Sequence, residues 1–422
     1  MKRSLIFACL LFSLNCQNYS IHLQKNFTTM ANSRNFVQLG FVILSLIFVS
    51  AVYALHLTDR VDSKSEVGET SSFSLYMFVG TYTTGTSTGI YVYRFDEETG
   101  QSEFVSVAEA VNPSYLAISA NERFVYAAGE SGRDAAVAYA FSFDKQTGKL
   151  SLLNSQPTNG ASPCYINTDY AGRFVVTANY SGGNVSLIPL SANGSLLPVD
   201  KVFEFKEGDD PDATRPIRHN LHCTVFSPDR KFLFAADLGA DKLHKFVVNE
   251  TAPFLTVGTP DAYKLEQGSG PRHLTFHPNG RFAYLINELS GKVTAFHYAN
   301  GNLEPVQYIA SDTSEGARKG SADIHVSPDG KFLYASNRAN TNNIAIFRIN
   351  EADGQLTLVG HQPTGLHPRN FIITPNGKYL LVANMNSSLI QVFERDKNTG
   401  LLNEDTSKQI KEVDRPVCLK FI

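Results

Sequence analysis

The sequence predicts an all-β protein: a seven-bladed β-propeller over residues 75–422, closed by the C-terminal strand joining the first blade. Three observations predict it. A short apolar strand ending in a polar turn recurs at a near-constant spacing. A second strand precedes it across a Pro-Asp-Gly-like turn. The last residues of the chain repeat that preceding strand with no copy after them.

The elements follow in chain order. Lys2 and Arg3 lead a first short apolar run, and Arg34 leads a stronger one from Phe36 to Ala54, nineteen positions with Gln38 as the strongly polar member. Read from Met30, this second run has a basic start, an apolar core and a small-residue exit at Val52-Tyr53-Ala54, the pattern of a secretory signal. Nineteen residues also just suffice to span a bilayer, so a membrane anchor is the rival reading. Residues 1–54 are therefore expected to be a leader. Residues 55–74 are polar and read as a linker. Export, periplasmic or extracellular, is the expected localisation, with a possible membrane tether; a cytoplasmic protein follows if Met30 and its apolar run are not a functional leader.

The repeat begins with LYMFVGTY at Leu75. Further copies are RFVYAAGE at Arg123, RFVVTANY at Arg173, KFLFAADL at Lys231, RFAYLINE at Arg281, KFLYASNR at Lys331 and KYLLVANM at Lys378. From Arg123 the steps are 50, 58, 50, 50 and 47 residues. The preceding strands open at Pro113, Pro163, His222, Arg272, Asp323 and Arg369. The first copy lacks such a partner, and RPVCLKFI from Arg415 supplies it. Short strands bounded by Pro, Asp, Asn and Gly form a β-meander. A period near 50 with about four strands is one propeller blade. One blade cannot bury both faces, so blades stack. Sharing a blade between the termini removes the open edge.

Composition narrows the function classes. The net charge of −3 gives no basic field for nucleic acid. Trp is absent, which argues against WD-type repeats. Cys9 and Cys16 lie in the leader; Cys164, Cys223 and Cys418 are widely spaced, without a C-x-x-C, and read as small buried strand residues. There is no H-E-x-x-H, EF-hand loop, G-x-S-x-G elbow or P-loop. His219 and His222 are three apart, on opposite faces of a strand, which is poor for joint metal ligation. No metal or cofactor is expected, and the oligomeric state is not encoded in any motif.

In a propeller the first strand of each blade lines the channel, and the loops leaving the second strand share one end with the loops entering the first. At that end polar groups recur: His219, His222, Arg272, His273, Asp323, His325, Arg369 and Asn370 before or in the inner strands, then Glu130, Asn179, Asp237, Glu288, Asn337, Arg338 and Asn384 at the exits. The bland reading is that an Asn or Asp there caps a turn and that a lone His is hydrogen-bonded in its strand. His244, His277, His297 and His361 fall elsewhere in the repeat and carry no functional expectation. Long charges near an axis are different, because they are costly unless they face each other, water or an anion. Arg272, Glu288, Arg338 and His222 are therefore either a catalytic set or a structural ion-pair network, which looks the same; they are the candidate catalytic residues, with His219, His273, Asp323 and Arg369 as candidate substrate-binding residues.

Several stretches carry a resemblance to a known family: FVGTYT from Phe78, NPSYLAIS from Asn112, HCTVFSPDRKFLFAADLGADKL from His222, GPRHLTFHPNGRFAYLINEL from Gly270, SADIHVSPDGKFLYASNR from Ser321 and HPRNFIITPNGKYLLVAN from His367. The chain resembles the seven-bladed propeller lactonases, the propeller-type 6-phosphogluconolactonases related to carboxy-muconate cyclase, over nearly all of residues 76–422. The resemblance implies hydrolysis of a small-molecule sugar lactone, 6-phosphogluconolactone or a related aldonic lactone, without metal. It places a His, a Glu and two Arg at the cavity, matching His222, Arg272, Glu288 and Arg338. The family opening is often H-P-H, and here it is H-N-L-H. Glu288 or His222 would activate water, while Arg272 and Arg338 would hold the oxyanion and the substrate. The competing class is an exported, non-catalytic propeller that binds a protein or glycan; it would need an exposed apolar patch at the channel mouth.

Overall fold

A computed structural model describes residues 73–205, 217–316 and 319–422. The leader and nearly all of the linker, residues 1–72, lie outside the described residues. The rest of the chain forms seven four-stranded antiparallel sheets. Six blades take their strands in chain order. Blade 6, for example, runs Ser321–Val326, Phe332–Asn337, Asn343–Ile349 and Leu356–Pro363. In blade 1 the C-terminal strand Pro416–Phe421 is innermost and pairs with Leu75–Thr81, followed by Gly89–Phe95 and Ser102–Glu109. The ring closes as the sequence predicts.

The seven inner strands contact one another around the axis: Pro113–Ile118, Pro163–Thr168, Leu221–Phe226, Pro271–Phe276, Ser321–Val326, Pro368–Ile373 and Pro416–Phe421. The second strands are almost wholly buried, and Phe124–Gly129 and Phe332–Asn337 are buried at every position. Each lies between two pairing strands and between two neighbouring blades, so its side chains are apolar on both faces.

Blades are locked by a repeated seam. The phenol of Tyr334 donates to the carbonyl of Gly400 in the next blade at 2.8 Å, and Tyr284 donates to Gly354 at 2.9 Å. Gly354 has a φ of 72°, and a Cβ there would lie 2.5 Å from the Phe282 ring. Only glycine lets the outer hairpin of blade 6 press onto blade 5.

The turns between first and second strands share one hydrogen-bond pattern. The Ser327 hydroxyl donates to Asp329 Oδ1 at 2.6 Å and accepts from the Phe332 amide at 3.0 Å. Ser119 with Asn121, Ser227 with Asp229 and Thr374 with Asn376 do the same. These Asx-type turns fix the hairpins at one end of the ring. Function is left to the other end.

Candidate active site at the mouth of the channel

A β-bulge in every inner strand builds the site. Strand pairing skips at the second residue: Leu221 and Cys223 have partners on either side of His222, and Pro271 and His273 flank Arg272. The same shift occurs at Ser114, Cys164 and Arg369. A bulge leaves one residue out of the ladder and re-aims its side chain. Ser114, Cys164, His222, Arg272, Arg369 and Val417 accordingly line a narrow central pocket with a cavity volume of about 10 Å³. That is room for about one water molecule, so the pocket is a narrow axial slot and not a drug-sized cavity of roughly 300–1,000 Å³. The next residues form its floor. Tyr115 and Tyr165 stack at 3.9 Å, and both meet the His273 ring edge-on.

The residue after the second strand adds a charged or phenolic side chain in five blades: Glu130, Tyr180, Glu288 and Arg338, with Tyr82 in blade 1. Arg272 and Arg338 clamp the same oxygen of Glu288, with Arg272 Nε at 2.9 Å and an Arg338 terminal nitrogen at 3.0 Å from Oε2. Arg272 Nε has no well-directed hydrogen bond despite that distance, so its contact with Glu288 is chiefly an ion pair. A terminal nitrogen of Arg272 donates to the Ala322 carbonyl at 2.6 Å, and Arg338 Nε donates to the Gly320 carbonyl at 2.9 Å. Both arginines are almost fully buried. Burial and the neighbouring Arg272 push the Arg338 guanidinium down to about 9, against the opposing pull of Glu288. Burial would raise Glu288, but Arg338, Arg272 and Arg369 outweigh it and hold the carboxyl below its ordinary value.

Across the mouth, Arg369 lies 3.7 Å from Glu130 and over the Tyr82 ring, and Tyr82 donates to Glu130 at 2.8 Å. Burial opposes the charge on Arg369, yet Tyr82 and Glu130 raise its pKa above the ordinary value. His367, held at a φ of 62°, faces Arg338 at 3.3 Å, and burial with the adjacent Arg338 pushes it down to about 3.

His222 is the uncommitted group. It sits between Tyr180 and His273 with ring separations of 5.6 and 5.2 Å. Its Nδ1 is buried with no hydrogen-bond partner. Burial, then Arg272, hold its pKa well below the ordinary histidine value, so the imidazole is neutral.

Of the sequence-predicted residues, His222, Arg272, Glu288 and Arg338 converge, and Arg369 and His273 join them. Asp323 lies beneath the floor. Its oxygens accept from His273 Nδ1 at 2.7 Å, His325 Nε2 at 3.0 Å, Asn370 at 2.5 Å and the backbone amides of Ile324 and Phe371. His219 is placed elsewhere, paired with Asp237 at 2.5 Å in the body of blade 4. The Asn residues at the exits are structural braces, as their bland reading expects: Asn337 donates to Ser311 and Asn343. Tyr82, Tyr180 and His367 were missed. The signal for the first two is their register, one residue past the second strand in their own copies.

Fold and site together define a seven-bladed propeller with a cationic pocket on its axis. The chain matches the family described as "Lactonase, 7-bladed beta-propeller" over residues 76–421, and it belongs to that family. It is 41% identical over 339 residues to a 6-phosphogluconolactonase of Formosa agariphila, covering 78% of this chain and 94% of that one. A Bacillus subtilis 6-phosphogluconolactonase is 35% identical over 352 residues, covering 82% and 97%. Among solved structures, the periplasmic gluconolactonase of Pseudomonas aeruginosa is 36% identical with a TM-score of 0.77, covering 83% of this chain and 99% of that one. A Bacteroides fragilis crystal structure is 54% identical with a TM-score of 0.79, covering 84% and 99%.

Proposed function

We propose that the axial pocket hydrolyses an anionic sugar lactone, 6-phosphogluconolactone or a related aldonic lactone, to the open-chain acid. One observation carries this reading. Three guanidiniums, Arg272, Arg338 and Arg369, face two carboxylates, Glu288 and Glu130, around a neutral His222 whose Nδ1 has no hydrogen-bond partner. A surplus buried positive charge is costly for packing alone and is satisfied by an anion. Guanidiniums match phosphate or carboxylate oxygens. The lactonase family and the activities named for its relatives support the same substrate class.

The chemistry follows from the charge pattern. Water attacks the lactone carbonyl while His222 takes its proton. Arg272 and Arg338 neutralise the tetrahedral oxyanion. The ring C–O bond then breaks, and the imidazolium returns the proton to the leaving alkoxide. Glu288 holds the two guanidiniums in place rather than acting as base, because its Oε2 is already engaged by both, at 2.9 and 3.0 Å, whereas His222 Nδ1 has no hydrogen-bond partner. The surplus of guanidinium charge also repels a divalent cation, so the reaction is independent of metal in the pocket. The expected leader, together with the periplasmic Pseudomonas aeruginosa relative, supports an exported enzyme. N-terminal sequencing of the mature protein is expected to begin near Leu55; a chain beginning at Met1 or Met30 contradicts cleavage.

The test is hydrolysis of 6-phosphogluconolactone and gluconolactone by the purified protein, with the spontaneous rate subtracted and with chelator in a parallel arm. Turnover that survives chelation, and a His222→Asn variant reduced about 100-fold or more in kcat with KM little changed, are expected. Neither lactone hydrolysed above background overturns the proposal.

A further inference from the structure

The body of blade 4 carries a second chemically distinct cluster, well supported by comparison with its sister blades. At the end of the second strand, blades 3, 5 and 7 have Asn179, Asn287 and Asn384. Each donates through Nδ2 to the side chain seven residues on: Ser186 at 2.9 Å, Thr294 at 2.9 Å and Gln391 at 3.0 Å. A neutral amide and a neutral acceptor are all this corner of the fold requires. In blade 4 the corresponding pair is Asp237 and His244. A third residue, His219, joins them from the segment leading into the inner strand.

The three are arranged as ligands. His219 Nδ1 lies 2.5 Å and His244 Nε2 3.1 Å from the same carboxylate oxygen, Oδ2 of Asp237. The other oxygen, Oδ1, is held by the backbone amides of Asn220 at 2.9 Å and Ala240 at 3.2 Å. The carboxylate is thus oriented from behind, with one oxygen turned toward both imidazoles. All three residues are buried, and Phe205 covers the group, stacking on His244 at 3.9 Å. The donor atoms all lie within 4.8 Å of one another, and no other group of three such residues does so among the described residues.

We propose that His219, Asp237 and His244 form a binding site for a borderline divalent transition cation of the zinc type. Two imidazoles and one carboxylate suit such an ion, whereas calcium and magnesium prefer oxygen donors. Tetrahedral bonds of about 2.0–2.1 Å separate ligand atoms by about 3.4 Å. The triad reaches that spacing if the His219–Asp237 contact opens by under about 1 Å. The amides on Oδ1 and the Phe205 ring supply the orienting contacts and the dry wall that metal sites use. The ion would tie the segment carrying His219 to the second and third strands of blade 4. His222, three residues further on, would be anchored through that tie. The site does not depend on the lactonase reading.

The test is cobalt and zinc uptake by the full chain, tag removed, after stripping with chelator. One equivalent of cobalt is expected, with the visible bands of four- or five-coordinate nitrogen and oxygen ligation and no thiolate charge-transfer band. One equivalent of zinc should displace it and raise the melting temperature. His244→Gln and Asp237→Asn should each weaken cobalt binding at least 100-fold. Absence of stoichiometric uptake by the wild-type protein overturns the proposal and leaves a hydrogen-bonded His–Asp–His group, and this outcome needs no variant to fold. Equal uptake by wild type and both variants overturns it too.

Discussion

The two ends of the propeller are built from the same repeat and have diverged in opposite ways. At the turn end, Ser119, Ser227, Ser327 and Thr374 make one hydrogen-bond pattern to within a few tenths of an ångström. At the mouth end, the bulged positions hold Ser114, Cys164, His222, Arg272, Arg369 and Val417, five different side-chain types over six positions of one backbone device. Uniformity marks what the ring needs in order to close. Diversity on a uniform backbone marks what the ring positions. Asp323 and the exit Asn residues lie between these extremes: they are at the mouth, but their bonding is inward.

That contrast can be broken by experiment. The largest effect is expected beneath the mouth. Asp323→Ala leaves His273, His325, Asn370 and the Phe371 amide without their acceptor. A loss of about 3–5 kcal/mol in denaturant unfolding is expected. A loss below 1 kcal/mol would mean that Asp323 is not a brace and faces a ligand instead.

Acidification should act on the same layer. Burial and the neighbouring Arg272 hold His273 down to about 4, against the pull of Asp323. A histidine with a depressed folded pKa lets the unfolded chain bind protons first. Stability is therefore lost as pH falls from about 6.5 toward 4, by on the order of 3 kcal/mol for His273 alone. Asp323, held well below its ordinary value by His325 and His273 despite burial, adds its loss at still lower pH. Thermal melts across this window check the sign; rising stability on acidification contradicts it.

Smaller effects belong to the seams and turns. Gly354→Ala combines left-handed strain with a clash against Phe282 and should cost about 2–3 kcal/mol. Glu122 occupies a turn position with a φ of 56° where Gly330 and Gly377 stand in other copies. Glu122→Gly should stabilise by about 0.5–1 kcal/mol, an increase visible in the melting temperature while lactonase activity is unchanged.

Much of this was legible in the sequence, because a repeat compares the chain with itself. The period, the strand pairs and the unpaired RPVCLKFI end define the ring. Arg272, Glu288 and Arg338 stand out because guanidinium and carboxylate are improbable at an axis without a purpose. What stayed hidden depends on the bulge. Strand alternation does not say which of two adjacent residues turns to the channel, so the braces Asn337 and Asn384 read like their lining neighbours. Tyr82 and Tyr180 pass as ordinary strand-end aromatics, and His219 passes as a mouth residue. His244 becomes informative only once Asp237 is seen beside it.

Hydrolysis is proposed to take place in the Arg–Glu–His pocket. Steady-state kinetics of Arg272→Gln and Glu288→Gln, each shown by circular dichroism and melting to be folded, test it most directly. Both variants are expected to lose at least 100-fold in kcat/KM for the lactone, since Arg272→Gln removes a guanidinium from the oxyanion clamp and Glu288→Gln removes the carboxylate that holds both guanidiniums. Folded variants that retain full lactonase activity would contradict the assignment of the site.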